Sequence, residues 1–418
     1  MAPRCLFALK LRDIYNTGAP IFSVAAIVVM PRPARVVIKA YDKIIDWVRL
    51  IDAHLAARKG KRSKKDVAQF HLNLAYNIGK LQQALTSFTY KVGGYHHFKV
   101  FEPKERDIEA ISYGDRVLQH AICDEILIPY MEKHLIYDNA ACRKQKGTLF
   151  ALNRLAHFLR DYYLKFSTDG YVLKADVAKF FPSIDHAILK QKLSNIHFDY
   201  AFFKLLCIII DSFNADTGRG LPMGNQTSQM FALFYLDSLD RLIKEKWRVK
   251  YYTRYMDDII IIHHDKAFLQ RLLEVMQQEL GRLKLSFNAK TQITPLKRGI
   301  KYLGWRTVLT PTGKVLRFVL TPSKKRVFRN LKILKKQYQR HDIGFFRFSQ
   351  SLASMLGHLK QGNCYKLRQV VSKVAMHGVW IPRWARIKMA RRKAAKVAAM
   401  AKIMLLPLII AMIVTAMN

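Results

Sequence analysis

The feature that most constrains this chain is the run Arg254-Tyr255-Met256-Asp257-Asp258-Ile259-Ile260-Ile261-Ile262. Two adjacent acids stand inside a stretch of aromatic and β-branched residues, the composition of strands. Such acids are tolerated best at the tip of a hairpin. The pattern therefore predicts two antiparallel strands with Asp257 and Asp258 at the turn. Upstream, Tyr171-Val172-Leu173-Lys174-Ala175-Asp176 reads as a strand that delivers another carboxylate at its end. Pro182-Ser183-Ile184-Asp185 then reads as a turn, with Ser183 predicted to cap the next helix.

Neighbouring carboxylates repel. On a tight turn they stabilise each other's charged state only if a cation sits between them. Hard oxygen donors with no His or Cys nearby select Mg²⁺ or Mn²⁺ over zinc. Two such ions about 4 Å apart suit an in-line phosphoryl transfer. An isolated Asp-Asp pair is ordinarily a solvated turn, so the charge of the whole chain matters. There are 71 Lys+Arg against 30 Asp+Glu, a formal net charge of +41. That excess calls for a polyanionic partner, nucleic acid or an anionic membrane surface. A small neutral substrate does not account for it.

Apolar residues make up 50% of the chain, which excludes a disordered basic tail and predicts two or three subdomains. The five cysteines (Cys5, Cys123, Cys142, Cys207, Cys364) show neither zinc spacing nor a disulfide framework, which points to the cytoplasm. Residues 39–90 read as helical, interrupted by the basic run 58–65, a solvated loop. His97-Phe98-Lys99-Val100-Phe101 alternates like a strand, helices resume over 115–133 and 150–165, and Lys104 and Arg106 stand two positions apart, the spacing of one strand face. Asp237 and Asp240 read as helix surface, and His263 and His264 as strand-end residues. From Thr321 to Met400 there are 20 Lys+Arg against one acid, Asp342, the pattern of a helical module lying along a phosphate backbone. Ala19 to Met30 reads as an extension upstream of the domain. The apolar run Ile403 to Met417 reads as a buried extension, with membrane contact as the alternative.

Taken in order, these segments resemble reverse transcriptases. Tyr255-Met256-Asp257-Asp258 matches the family's YxDD box, and Asp176 with Phe180-Phe181 its first palm motif. Gly220-Leu-Pro-Met223-Gly224-Asn-Gln-Thr-Ser228-Gln229 matches the loop under the template and incoming nucleotide. Leu303-Gly304-Trp305 fits the primer-grip hairpin. Glu102-Pro103-Lys104-Glu105-Arg106, Asp115-Arg116-Val-Leu-Gln119-His120 and Cys142-Arg143-Lys-Gln-Lys146-Gly147-Thr148 fit the fingers. The resemblance covers roughly residues 40–370. Within the family the chain is similar to bacterial enzymes related to group II introns, above all those of diversity-generating retroelements and the "unknown group" that includes phage-defence systems. Met223 before Gly224, and Ser228-Gln229, follow the diversity-generating variant, linked in that family to low fidelity.

The resemblance implies an α+β, right-handed polymerase. Residues 1–38 form an N-terminal extension, 39–165 the fingers with a basic helical region, 166–320 the palm (an antiparallel sheet packed on helices) with part of the fingers and the primer grip, 321–380 a helical thumb, and 381–418 a basic, then apolar tail. It implies Asp176, Asp257, Asp258 and the Val177 carbonyl as ligands of two Mg²⁺ ions, with Mn²⁺ as the alternative. Phe181 becomes the gate against a ribose 2′-hydroxyl, and Lys290 a proton donor to pyrophosphate. Lys104, Arg106, Met223, Gly224 and Gln229 border the nucleotide, and Arg143 and Lys146 the template. Lys324, Lys325, Arg326, Arg329, Lys332, Lys335 and Lys336 neutralise the template–primer backbone, which gives affinity rather than sequence readout.

The expected partners are dNTPs, a structured noncoding RNA template and its cDNA or RNA–DNA hybrid, with an accessory protein or a second copy as further candidates. The expected activity is RNA-directed DNA polymerisation. The segments beyond a compact core favour a phage-defence setting. The alternatives are an error-prone enzyme of a diversity-generating retroelement, an RNA-directed RNA polymerase, which the aromatic Phe181 disfavours, and a non-catalytic RNA-binding scaffold, which the intact acids disfavour.

Overall fold

The computed structural model describes residues 37–101, 105–380 and 382. The readings of Lys104, of the extreme N-terminal segment and of the apolar tail with its membrane contact lie outside those residues. Four helices open the chain: α1 (Tyr41–Ile45), α2 (Trp47–Arg58), α3 (Lys65–Leu72) and α4 (Leu74–Thr86). The basic run interrupts them between α2 and α3 because its charges have no buried face to occupy. The Asp46 carboxylate accepts the Arg49 N–H at 2.9 Å and starts α2. The hairpin β1 (His96–Val100) and β2 (Arg106–Ala110) follows. Helix α5 (Tyr113–Ile122) runs through a π-helical turn at Cys123–Leu127 into α6 (Ile128–His134), and α7 spans Thr148–Phe166.

The central sheet is built from β3 (Tyr171–Asp176), β4 (Tyr252–Tyr255), β5 (Asp258–His263) and β6 (Gln292–Pro295), in the antiparallel order β4-β5-β3-β6. Between β3 and β4 lie α8 (Phe180–Ser183), α9 (His186–Ser194), α10 (Tyr200–Asp211), α11 (Gln226–Tyr235) and α12 (Asp237–Arg241); α13 (Lys266–Arg282) connects β5 to β6. The predicted cap moves by two residues. Ser183 ends α8, and Asp185 caps α9 by accepting the Ile188 N–H at 3.1 Å. Asp185 is also held by Lys284 Nζ at 2.7 Å.

Four consecutive isoleucines in β5 are buried because the sheet is covered on both faces. Ile259 and Ile261, with Leu173 and Ala175, join a core that includes Leu269, Leu272 and Met276 of α13. Ile260 and Ile262, with Val172, join a core that includes Leu152, Leu155 and Tyr162 of α7. Successive strand residues alternate between faces. Asp176, Lys174 and Asp258 therefore project on the α7 face, beyond its apolar part.

A meander of β7 (Ile300–Tyr302), β8 (Trp305–Leu309) and β9 (Val315–Val319) leads into three helices, α14 (Thr321–Gln339), α15 (Phe345–Leu359) and α16 (Tyr365–Met376). The α14 stripe Val327, Leu331 and Leu334 packs with Phe348, Leu352 and Val371 and with Trp305 of the meander. The chain is thus a mixed α+β protein with antiparallel sheets. Among the described residues no helix is long and apolar enough to cross a membrane.

Candidate active site

Tyr255 pairs with Asp258 across the β4–β5 hairpin, leaving Met256 and Asp257 as a two-residue turn. Met256 takes φ +54°, a left-handed conformation that such turns need and that is unfavourable for a non-glycine residue. Asp176 is the direct cross-strand partner of Asp258. Residues so paired hold their Cβ atoms about 5 Å apart. Asn288 Nδ2 donates to Asp176 Oδ2 at 3.3 Å, and Asn288 N–H to the Asp176 carbonyl at 2.7 Å. Lys174 Nζ lies 3.6 Å from Asp258 Oδ1 and donates to the Lys301 carbonyl at 2.8 Å.

Burial pushes the Asp258 carboxyl up to about 7; Lys174 opposes that shift, whereas Asp176 and Asp257 reinforce it. Burial also raises Asp257, with Asp176 adding to the shift and Arg106 and Arg254 opposing it. Asp258 Oδ1 is buried with no hydrogen-bond donor. Among the described residues no three His, Cys, Asp or Glu side chains already form a metal cage. The donors at hand are nonetheless all carboxylate oxygens, one of them without a donor, in a setting that raises the cost of their charge. They fit a hard divalent cation.

A cleft of about 1070 Å³ opens beside Asp258. Its walls bring together Arg106 of β2, Thr148 at the start of α7, Lys174 and Lys301, the Tyr302-Leu303-Gly304 turn, and Lys325, Arg326 and Arg329 of α14. Leu303 and Gly304 take φ +48° and +84° as the two-residue loop between Tyr302 and Trp305. The Gly304 carbonyl accepts the Leu320 N–H at 3.1 Å, which fastens this turn to the start of α14.

The other expected residues are spread more widely. Trp305 is buried and anchors the hairpin rather than facing the cleft. Val177 is buried and bridges to Phe287. Phe180 is buried and Phe181 half-buried, their rings 5.7 Å apart; they lie on the short helix α8, not on an extended segment. Lys290 is exposed on the turn that carries Asn288. Gly224, at φ +106°, packs beside Ile108 of β2, and the Met223 N–H donates to Glu109 at 3.4 Å. Gln229 accepts from Cys142 Sγ at 3.3 Å.

The Arg143 guanidinium is already occupied. It binds Glu132 at 2.9 Å and the carbonyls of Ile136, Asn139 and Glu132. Lys146 donates to the Tyr137 carbonyl at 2.6 Å and lies over the Tyr137 ring, and burial lowers it to about 8. Lys335 donates to the Val374 and His377 carbonyls at the end of α16. Lys324, Lys332 and Lys336 are exposed outside the cleft lining.

The reading of Asp240 as helix surface is overturned. It is fully buried and paired with Arg254, because α12 packs beneath the hairpin. Asp237 is mostly buried too and binds Arg241 at 2.8 Å. Lys174, Asn288 and Arg254 were not singled out by the sequence reading. Lys174 carried a signal, since it shares the strand face of Asp176 two residues away. The contacts of Asn288 with Asp176, and of Arg254 with Asp240 and Leu233, arise only from packing between segments distant in sequence.

Asp258, at a strand end, faces a cleft lined by cations, a charge pattern suited to phosphate groups. Residues 102–307 match the family described as Reverse transcriptase (RNA-dependent DNA polymerase), so the chain carries a reverse transcriptase domain. No curated protein matches the sequence. Similar solved structures include apo telomerase from Candida Tropicalis, at 13% identity over 54% of this chain and 48% of that one, with a TM-score of 0.41. Another is telomerase from Candida albicans in complex with a fragment of telomeric RNA, at 12% identity over 71% of this chain and 57% of that one, with a TM-score of 0.43. The chain spans about half the length of these structures.

Proposed function

We propose that this chain is a catalytically active reverse transcriptase that copies a structured noncoding RNA into cDNA, with a right-handed polymerase arrangement. In this reading residues 39–165 form the fingers, 166–320 the palm and 321–380 the thumb. The observation that carries it is the pairing of Asp176 with Asp258, which adjoins Asp257 in sequence and lines a cleft shared with Arg106 and the α14 cations. Asp176, Asp257, Asp258 and the Val177 carbonyl would hold divalent cations. When bound, such ions supply charge neutralisation at the phosphates and acidify an attacking hydroxyl.

The chain's own groups do the remaining work. Arg106 meets the triphosphate from the β1–β2 hairpin, and sequence alone assigns Lys104 the same role. Phe181 stands against the sugar. Gly224 and Gln229 border the base, with Met223 beside them. The Leu303–Gly304 turn supports the primer end, and Lys325, Arg326 and Arg329 neutralise the duplex backbone. Lys290 is assigned as the proton donor to the leaving pyrophosphate. The biological setting we favour is a bacterial phage-defence system in the cytoplasm; error-prone copying in a diversity-generating retroelement is the alternative.

Primer extension on an RNA template with dNTPs and Mg²⁺ or Mn²⁺ tests the activity. Wild type is expected to extend, and the D257A/D258A variant to lose extension while retaining duplex binding. A purified protein that extends no primer on any template overturns the proposal. Sequencing the nucleic acid that copurifies with the chain identifies the template.

A further inference from the structure

Beneath the Met256–Asp257 turn lies a charged side chain with no access to solvent. Arg254, at the base of the turn, is 0% exposed, and so is its partner Asp240 of α12. The guanidinium holds that carboxylate in a fork, Nε at 2.7 Å and Nη2 at 2.5 Å. Two more of its N–H groups go to main-chain carbonyls, Nη1 to Met256 at 2.9 Å and Nη2 to Leu233 of α11 at 3.1 Å. The Tyr252 hydroxyl donates to the same Asp240 carboxylate. One planar group thus joins two helices to the residue that precedes Asp257.

A buried ion pair is a poor stabiliser. Desolvating both charges offsets most of their attraction, and apolar replacements of similar volume are often as stable. What a planar, five-donor guanidinium supplies is direction. Met256 sits at φ +54°, where a non-glycine residue is strained and persists only if its surroundings hold it. Nη1 is the side-chain group that grips its carbonyl.

We propose that Arg254 and Asp240 form a positioning pair that fixes the Met256–Asp257 turn, and so sets the place of the Asp257 carboxylate relative to Asp176. The inference rests on the polymerase reading above. Neither residue touches substrate; both act through the turn. Misplacing a reacting group by about 1 Å can cost about a hundredfold in rate.

Two variants separate positioning from general support. Arg254→Lys keeps a cation for Asp240 but cannot span both the carboxylate and the Met256 carbonyl. The D240L/R254M/Y252F variant removes the charges and the hydroxyl that would be stranded. In both, kcat for primer extension is expected to fall about 30-fold, with KM for dNTP within about twofold of wild type. Duplex affinity and melting temperature are expected to stay near wild type. A wild-type kcat in either variant overturns the proposal. So does a loss of duplex binding and melting temperature that parallels the loss of rate.

Amide hydrogen exchange at residues 255–258 gives a readout that needs no turnover. Exchange about tenfold faster in R254K, with the rest of β3–β5 unchanged, supports the pair; unchanged exchange refutes it. If wild type extends no primer, the polymerase reading fails, and this exchange measurement still decides whether the pair holds the turn.

Discussion

Asp258 stands directly opposite Asp176 on the neighbouring antiparallel strand, with the Lys174 ammonium 3.6 Å from its Oδ1. Lys174 lowers the Asp258 carboxyl, but burial and the two other acids outweigh it and push the group up to about 7. In metal-free protein the folded state therefore favours protonated Asp258 below about pH 7.

The sign follows from linkage. A carboxyl with a raised folded pKa binds its proton more tightly when folded, so its destabilisation accumulates as pH rises from the unfolded value to about 7 and is constant above that. Asp258→Asn removes the titration. Its melting temperature in EDTA should match wild type near pH 4 and exceed it by on the order of 3–5 °C above pH 7. Millimolar Mg²⁺ should narrow the gap by stabilising wild type alone. A gap that is flat with pH would contradict the burial argument.

Phe181 is half-buried on the short helix that follows β3, with Phe180 behind it. Replacing Phe181 by Ala should admit ribonucleotides, raising NTP incorporation relative to dNTP by about tenfold or more, since the steric barrier is lost. Single-nucleotide incorporation on one template measures the ratio. A wild type that already takes both equally would remove the gate from the mechanism.

Lys325, Arg326 and Arg329 line the cleft on the first turns of α14. Neutralising one of them should weaken duplex binding on every sequence tested, and should reduce the slope of log K against log salt by roughly one. Lys335 is held by the Val374 carbonyl of α16 and the His377 carbonyl just beyond it, so Lys335→Gln should leave that slope nearly unchanged. Fluorescence anisotropy across a salt series distinguishes the two cases.

Gly362 touches the meander so closely that an added Cβ would lie 2.5 Å from the Trp305 ring and 2.7 Å from the Arg317 carbonyl. Gly362→Ala should cost about 1–3 kcal/mol of stability, because neither neighbour can yield. Chemical denaturation measures it. Gly357 has open space around it, and Gly357→Ala should not destabilise.

The local parts of this architecture were legible because their signals are local. The mostly apolar run 171–175 ending in Asp176 and the acids inside Arg254–Ile262 announce strands, and the α14 stripe Val327, Leu331 and Leu334 repeats at helical spacing. Asp240 was misjudged because the pattern of its own short segment resembles a surface. Its partner Arg254 lies fourteen positions on, and only packing brings them together. The same holds for Arg143, whose cation is taken up by Glu132 eleven positions away. The shift of the cap from Ser183 to Asp185 reflects a short helix at Phe180–Ser183 where a simple turn was expected.

The bond from the Leu320 N–H to the Gly304 carbonyl leaves little slack between the β7–β8 turn and the helices that follow. A tilt of those helices would pull on the turn beside Asp258. In the polymerase proposed above, translocation and the alignment of the growing end would be a single motion. A defect at this joint would then show itself as pausing at each step rather than as weaker grip.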